Sequence, residues 1–271
     1  MPTFTLSSGR AGLWVETQGE GDPVVMLHAG VADRRMWHEQ MTALAPNFQA
    51  VAYDRRGFGR TAHADEDYSN VADLRAVLDA VAPLRPAILV GCSQGGRISI
   101  DAALALPGRV RALVLVAPGI TGAPHVTTFP PAIQALIDQL DQADAACDND
   151  RINALEAHAW LDGPAEQRGR VGGAARELFL DMNGISLRAE KRGKEIEPPA
   201  AFQRLGEISV PVLVVWGDLD FPHLIENCRH LTATIKNAQA FVLAGTAHLP
   251  NLEQPMQFNR KLVEFCIAVG R

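Results

Sequence analysis

A chain of 271 residues with 47% apolar side chains is long enough to bury one large core carrying an insertion. Its net charge of −6 and scattered Lys and Arg residues disfavour nucleic acid or an anionic membrane as a partner. No apolar run reaches bilayer length, and Met1 to Ser7 shows no charged stretch leading into an apolar one, so neither a membrane span nor a signal peptide is expected.

Residues 3–8 and 12–18 read as an opening antiparallel strand pair, with a polar turn from Gly19 to Asp22. Strands follow at Pro23 to Leu27 and Gln49 to Tyr53, with a helix between them around Met36 to Leu44. Val71, Leu74, Leu78 and Val81 recur at helical spacing. Ala87 to Val90 is a buried-strand run, Arg97 to Leu106 reads as a helix, and Arg111 to Val116 is another buried strand. Strands alternating with helices predict a parallel sheet covered on both faces.

The pattern changes over 121–205, which reads as helical throughout. Its apolar stripes are Ile133, Leu136, Ile137 and Leu140, then Ile152, Leu155 and Ala159, then Val171, Ala175, Leu178, Phe179 and Met182. Pro130-Pro131 and Pro198-Pro199 punctuate its ends. Val210 to Trp216 and Ala240 to Ala244 resume the strands, and a helix around Met256 to Val269 closes the chain. The fold class is therefore α/β, with a core of 1–120 and 206–271 and an insertion at 121–205. Cys92, Cys147, Cys228 and Cys266 are widely spaced, without a CxxC or metal-ligand pattern, and fit a reducing cytoplasmic location.

Val90-Gly91-Cys92-Ser93-Gln94-Gly95-Gly96 places a serine between two glycines where a strand turns into a helix. Such a turn is too tight for side chains at the glycine positions, and it presents the hydroxyl at a helix N-terminus that favours developing negative charge. A serine nucleophile needs a base, and the base an acid to orient it. Downstream, Gly217-Asp218-Leu219-Asp220 and Gly245-Thr246-Ala247-His248 each follow a strand, where open α/β sheets put their ligands. His248 is the one histidine of eight with that placement after the elbow; Asp218 and Asp220 both qualify as the acid. Cys92 lacks glycines on either side at the elbow spacing and reads as a small packed residue.

Those segments, with Leu27-His28-Ala29-Gly30 and Tyr53-Asp54-Arg55-Arg56-Gly57-Phe58-Gly59-Arg60, resemble the α/β-hydrolase family over nearly the whole chain. The resemblance implies an eight-stranded, mostly parallel sheet with helices on both faces and an α-helical lid inserted after the sixth strand. It implies Ser93 as nucleophile, Asp220 as acid, His248 as base, and the N–H groups of Gly30 and Gln94 as the oxyanion hole. The family usually has His-Gly where this chain has His28-Ala29. His28 would brace that loop, and Asp54 and Arg55 would hold a loop through backbone hydrogen bonds.

The expected activity is hydrolysis of a small-molecule carboxylic ester or lactone through an acyl-enzyme, without metal or organic cofactor. Dehalogenases and epoxide hydrolases of this fold carry aspartate at the elbow. Carbon–carbon bond hydrolases usually have tryptophan after the histidine, where this chain has Leu249. Carboxylesterases, lactonases and cofactor-free perhydrolases share the triad, and so do ligand-binding receptors that kept the hydrolase shell. The lid stripes predict a mainly apolar acyl pocket, with Ile137 and Phe179 as candidate lining. His125, His158 and Trp160 are expected to be exposed or packed lid residues, with pocket lining as the alternative.

Overall fold

Parallel strands covered on both faces are buried along nearly their whole length, and the central strands here are of that kind. The structure is a computed structural model that describes residues 2–270. The strands are β1 (Thr3–Ser8), β2 (Ala11–Gln18), β3 (Asp22–Leu27), β4 (Phe48–Asp54), β5 (Ala87–Cys92), β6 (Val110–Val116), β7 (Val212–Gly217) and β8 (Ala238–Leu243). They form one eight-stranded sheet in the order β1-β2-β4-β3-β5-β6-β7-β8. β2 pairs antiparallel with both β1 and β4, and the other neighbours run parallel.

Side chains alternate across the sheet and divide the core in two. Val25 and Leu27 of β3 join a cluster with Leu74 and Leu78 of α2 (Asn70–Val81), Ile98 of α3 (Gln94–Ala105) and Leu231 near the C-terminal end of the helix Pro222–Thr234. Val24 and Met26 face the opposite layer, with Met41 of α1 (His38–Leu44) and Phe258 and Leu262 of the last helix, Pro255–Gly270. The chain steps from β3 outward to β4, then crosses back to β5 on the other side of β3. The loops leaving β3 and β5 therefore diverge, opening the crevice where such sheets bind ligands.

The segment between β6 and β7 holds α4 (Pro131–Ala145), α5 (Asn149–Glu156), a π-helical turn (Ala157–Asp162) and α6 (Gly173–Leu187). Its own apolar cluster joins Ile133, Leu136 and Leu155 to Phe221 and Leu224, beyond β7. After it come α7 (Pro222–Thr234), α8 (Pro250–Glu253) and α9 (Pro255–Gly270). Among the described residues no helix is long and apolar enough to cross a membrane.

Differences from the sequence reading have local causes. α7 has no counterpart among the elements expected from the sequence, although Pro222 at its first turn and Leu224, Cys228 and Leu231 at helical spacing carry its signature. β7 begins at Val212 because Pro211 has no N–H for the ladder. α6 begins after Val171, whose N–H is taken by the buried Asp162 carboxylate at 2.9 Å. Phe179, a candidate pocket residue, is fully buried in one cluster with Leu161, Met182 and Leu249. It packs the helical segment onto the sheet domain instead of lining a cavity. Phe179→Ala should thus cost about 3–5 kcal/mol of unfolding free energy, the range for emptying a buried aromatic site, read from denaturant melts at unchanged m-value.

Candidate active site

Ser93 follows β5 at φ 53° and ψ −114°, in a backbone region costly for any residue with a Cβ. The glycines beside it make the turn possible. A Cβ on Gly95 would overlap the Leu27 carbonyl at the end of β3, and one on Gly91 would overlap the Gly95 carbonyl. Hydrogen bonds fix the turn from below: the Ser93 N–H donates to Val116 at 2.8 Å, and the Gly119 N–H donates to the Ser93 carbonyl at 3.2 Å. The Gln94 N–H is the first of α3, one of those without an intrahelical partner.

The loop after β3 lies alongside, with Gly30 facing the Gln94 side chain. Arg55, buried at the end of β4, joins the two. Its guanidinium donates to Gln94 Oε1 at 2.7 Å and to the carbonyls of His28 and Ala29 at 3.1 Å each. Burial lowers its pKa to about 10, which leaves it charged at neutral pH. His28 beneath is held well below the usual histidine range by burial and then by the Arg55 charge. A neutral ring explains its contacts: Nδ1–H donates to the Ala29 carbonyl at 2.7 Å while Nε2 accepts the Arg55 N–H at 3.1 Å. Asp54 accepts the N–H groups of Arg34 and Arg60 and a guanidinium N–H of Arg34.

Two further loops close around His248. Asp220 Oδ2 accepts His248 Nδ1–H at 2.8 Å, and Asp220 Oδ1 accepts the Phe221 N–H at 2.7 Å. Both side chains are buried. Asp218 instead accepts the Gly245 N–H at 2.6 Å and ties the two loops together. The geometry thus gives Asp220 to His248 and Asp218 to the turn. Burial, and then the Asp220 charge, pushes the Cys92 thiol well above its ordinary range, so Cys92 is held as a neutral thiol.

Ser93, Gln94, Gly30 and His248 line one cavity of about 480 Å³ with Val31, Phe58, Arg97, Gly119, Glu156, Trp160 and Arg192. The expectation of a mainly apolar pocket does not hold, because two guanidinium groups and a carboxyl reach its wall. Trp160 corrects a second expectation. It lies in the π-helical turn with its ring 4.7 Å from His248 and 4.7 Å from Phe221, against the cavity. His125 is exposed, and His158 Nε2 bonds the Glu166 carbonyl within the inserted segment. Ile137 packs in the helical cluster and is not part of the cavity wall. Among the described residues, no three His, Cys, Asp or Glu side chains are grouped to hold a metal ion.

A model of the alpha/beta hydrolase family matches residues 24–261. The chain belongs to the alpha/beta hydrolase family. A pimeloyl-[acyl-carrier protein] methyl ester esterase of Yersinia enterocolitica is 26% identical over 91% of this chain and 94% of its own. A 2-hydroxy-6-oxo-6-phenylhexa-2,4-dienoate hydrolase of Comamonas testosteroni is 26% identical over 91% of this chain and 88% of its own. An esterase from Exiguobacterium antarcticum shares the fold, with a TM-score of 0.78 and 20% identity over 98% of this chain and 99% of that one. The hydrolase has esterases among its relatives.

One unforeseen network holds the His248 loop. Glu253 accepts the Ala247 N–H at 2.7 Å and the Arg170 guanidinium at 2.5 Å, while Arg170 also donates to the Gly245 and Leu161 carbonyls. Burial raises the Glu253 carboxyl to about 7. The folded protein then binds this proton more tightly than the unfolded chain, so the contribution of Glu253 to stability falls as pH rises from the ordinary glutamate range to about 7. Thermal melts of wild type and Glu253→Gln across that window should show wild type losing ground to the variant as pH rises, with the difference levelling off above it.

Proposed function

We propose that this hydrolase cleaves a carboxylic ester, open-chain or lactone, through an acyl-enzyme on Ser93. The observation that carries the reading is the buried 2.8 Å bond from His248 Nδ1–H to Asp220, on a histidine that shares its cavity with Ser93. Asp220 holds the ring in the tautomer whose Nε2 can accept a proton and steadies the imidazolium that results. The Ser93 oxygen adds to the ester carbonyl as its proton passes to His248 Nε2. The carbonyl oxygen becomes an oxyanion and accepts the N–H groups of Gly30 and Gln94, one such donor being worth about 3–4 kcal/mol. Collapse breaks the ester C–O bond, and the leaving oxygen takes the proton from His248. Water, losing a proton to the same nitrogen, then adds to the acyl carbon, and Ser93 leaves with that proton.

The relatives support the ester class: one is a methyl ester esterase by name. The Cys92 thiol, kept protonated by burial, is a poor competitor for the nucleophile's role. The segment 121–205 acts as the lid on a core of 1–120 and 206–271, since its Trp160 closes over His248. The substrate is a small molecule. Four free thiols, three of them buried, support a cytoplasmic setting.

The acid assignment is open to direct comparison. Asp220→Asn should lower kcat on p-nitrophenyl esters by about 10⁴-fold, the cost of the wrong tautomer in serine proteases. Asp218→Asn should lower the melting temperature slightly and retain most of the turnover, because a neutral amide oxygen accepts the Gly245 N–H that braces the turn more weakly than a carboxylate does. Steady turnover past one equivalent by wild type distinguishes an enzyme from a receptor. An active Asp220→Asn protein beside a dead Asp218→Asn protein reverses the assignment.

A further inference from the structure

In a chain of net charge −6, two guanidinium groups reach the wall of the Ser93 cavity. Arg97 and Arg192 line it, and Arg55 lies behind its wall with the guanidinium 4.7 Å from the Phe58 ring centroid. Arg97 is satisfied, donating to both carboxylate oxygens of Glu195 at 2.8 and 2.9 Å. Arg192 is not matched in this way. Its guanidinium lies 5.0 Å from the Phe58 ring centroid and donates to the Arg56 carbonyl at 3.2 Å. Among the described residues, no carboxylate lies within ion-pair distance of it.

The segment that carries Arg192 is pinned, because Tyr68 exchanges backbone hydrogen bonds with Lys194 and Ile196 at 3.0 and 2.7 Å. Glu156, the one carboxyl on the cavity wall, is turned toward its neutral form by burial and takes an Asn183 N–H at 2.6 Å. A half-buried guanidinium with no carboxylate of its own, near the buried Arg55, is an unfavourable arrangement until an anion joins it.

We propose that Arg192 is a substrate-binding residue that selects esters whose acyl chain ends in a carboxylate, the half-esters of short dicarboxylic acids. With the ester carbonyl at Ser93, the distal carboxylate lies against the Arg192 guanidinium, inside a cavity large enough for a short chain. One unmatched guanidinium suits a monoanion. A phosphate dianion would bring a second negative charge near Glu195, the carboxylate that Arg97 holds. The inference rests on the acyl-enzyme reading for the position of the ester.

The test compares the mono-p-nitrophenyl ester of glutaric acid with p-nitrophenyl pentanoate, equal in chain length and differing by the carboxylate. Wild type should prefer the half-ester in kcat/KM by about tenfold or more, a charge-assisted contact's worth, and raised salt should erode the preference. Arg192→Met keeps an apolar stem on Phe58 and should collapse the preference through KM, with Arg192→Lys restoring part of it. Equal preference in wild type and Arg192→Met, or no preference in wild type, overturns the proposal. Calorimetry of glutaric acid monoamide binding to the Ser93→Ala protein is independent of turnover. Binding that weakens about 10- to 100-fold on adding Arg192→Met supports the subsite, whereas unchanged binding overturns it whatever the kinetics show. Loss of hydrolysis of both esters with binding intact would count against the acyl-enzyme reading alone.

Discussion

The site depends on one close approach of backbone to backbone. At the end of β5 the chain turns so tightly that Gly95 sits on the Leu27 carbonyl of β3, with no room for a Cβ between them. That approach brings the first N–H of α3 beside the Gly30 loop and holds Ser93 at positive φ. A residue there is strained, and the strain persists because the bond that Ser93 donates to Val116 and the one it accepts from Gly119 hold its backbone on both sides. The sheet order makes the approach useful, since β3 and β5 are neighbours whose outgoing loops part in opposite directions.

A second constraint, Arg55, operates from beneath. A fully buried guanidinium is costly unless its donors find acceptors; its two terminal nitrogens reach the His28 and Ala29 carbonyls and Gln94 Oε1, while its Nε–H has no partner. The same group therefore holds both sides of the candidate oxyanion hole. From above, Arg170 of the inserted segment reaches Gly245 and Glu253 and holds the loop that carries His248. The helical segment is thus connected to the candidate base by charged hydrogen bonds as well as by the ring contact of Trp160.

The legible parts of the sequence are those whose physics is local. Glycines at 91 and 95 around Ser93, between an apolar run and a helical one, encode the turn because steric exclusion acts over a few residues. The buried strands were readable for the same reason, save where Pro211 trims β7. Asp218 and Asp220 were both available on the residues alone; resemblance to a family favoured Asp220, and the folded loops bring it to His248. Arg97, Glu156, Trp160 and Arg192 were not readable as one group. They come from α3, α5, the π-helical turn and the chain beyond α6, and only packing of the inserted segment over the strand ends brings them to one wall. For Phe179, helical periodicity located the apolar stripe but not which neighbour it faces, and its partner is the sheet domain.

The strained serine is proposed as the nucleophile. Treating the native protein with a fluorophosphonate and mapping the product by intact mass and peptide sequencing tests it most directly. One adduct per chain is expected, on Ser93, with hydrolysis lost in proportion to labelling and no adduct on the Ser93→Ala protein. Labelling on Cys92, or full hydrolysis by fully labelled protein, would contradict it.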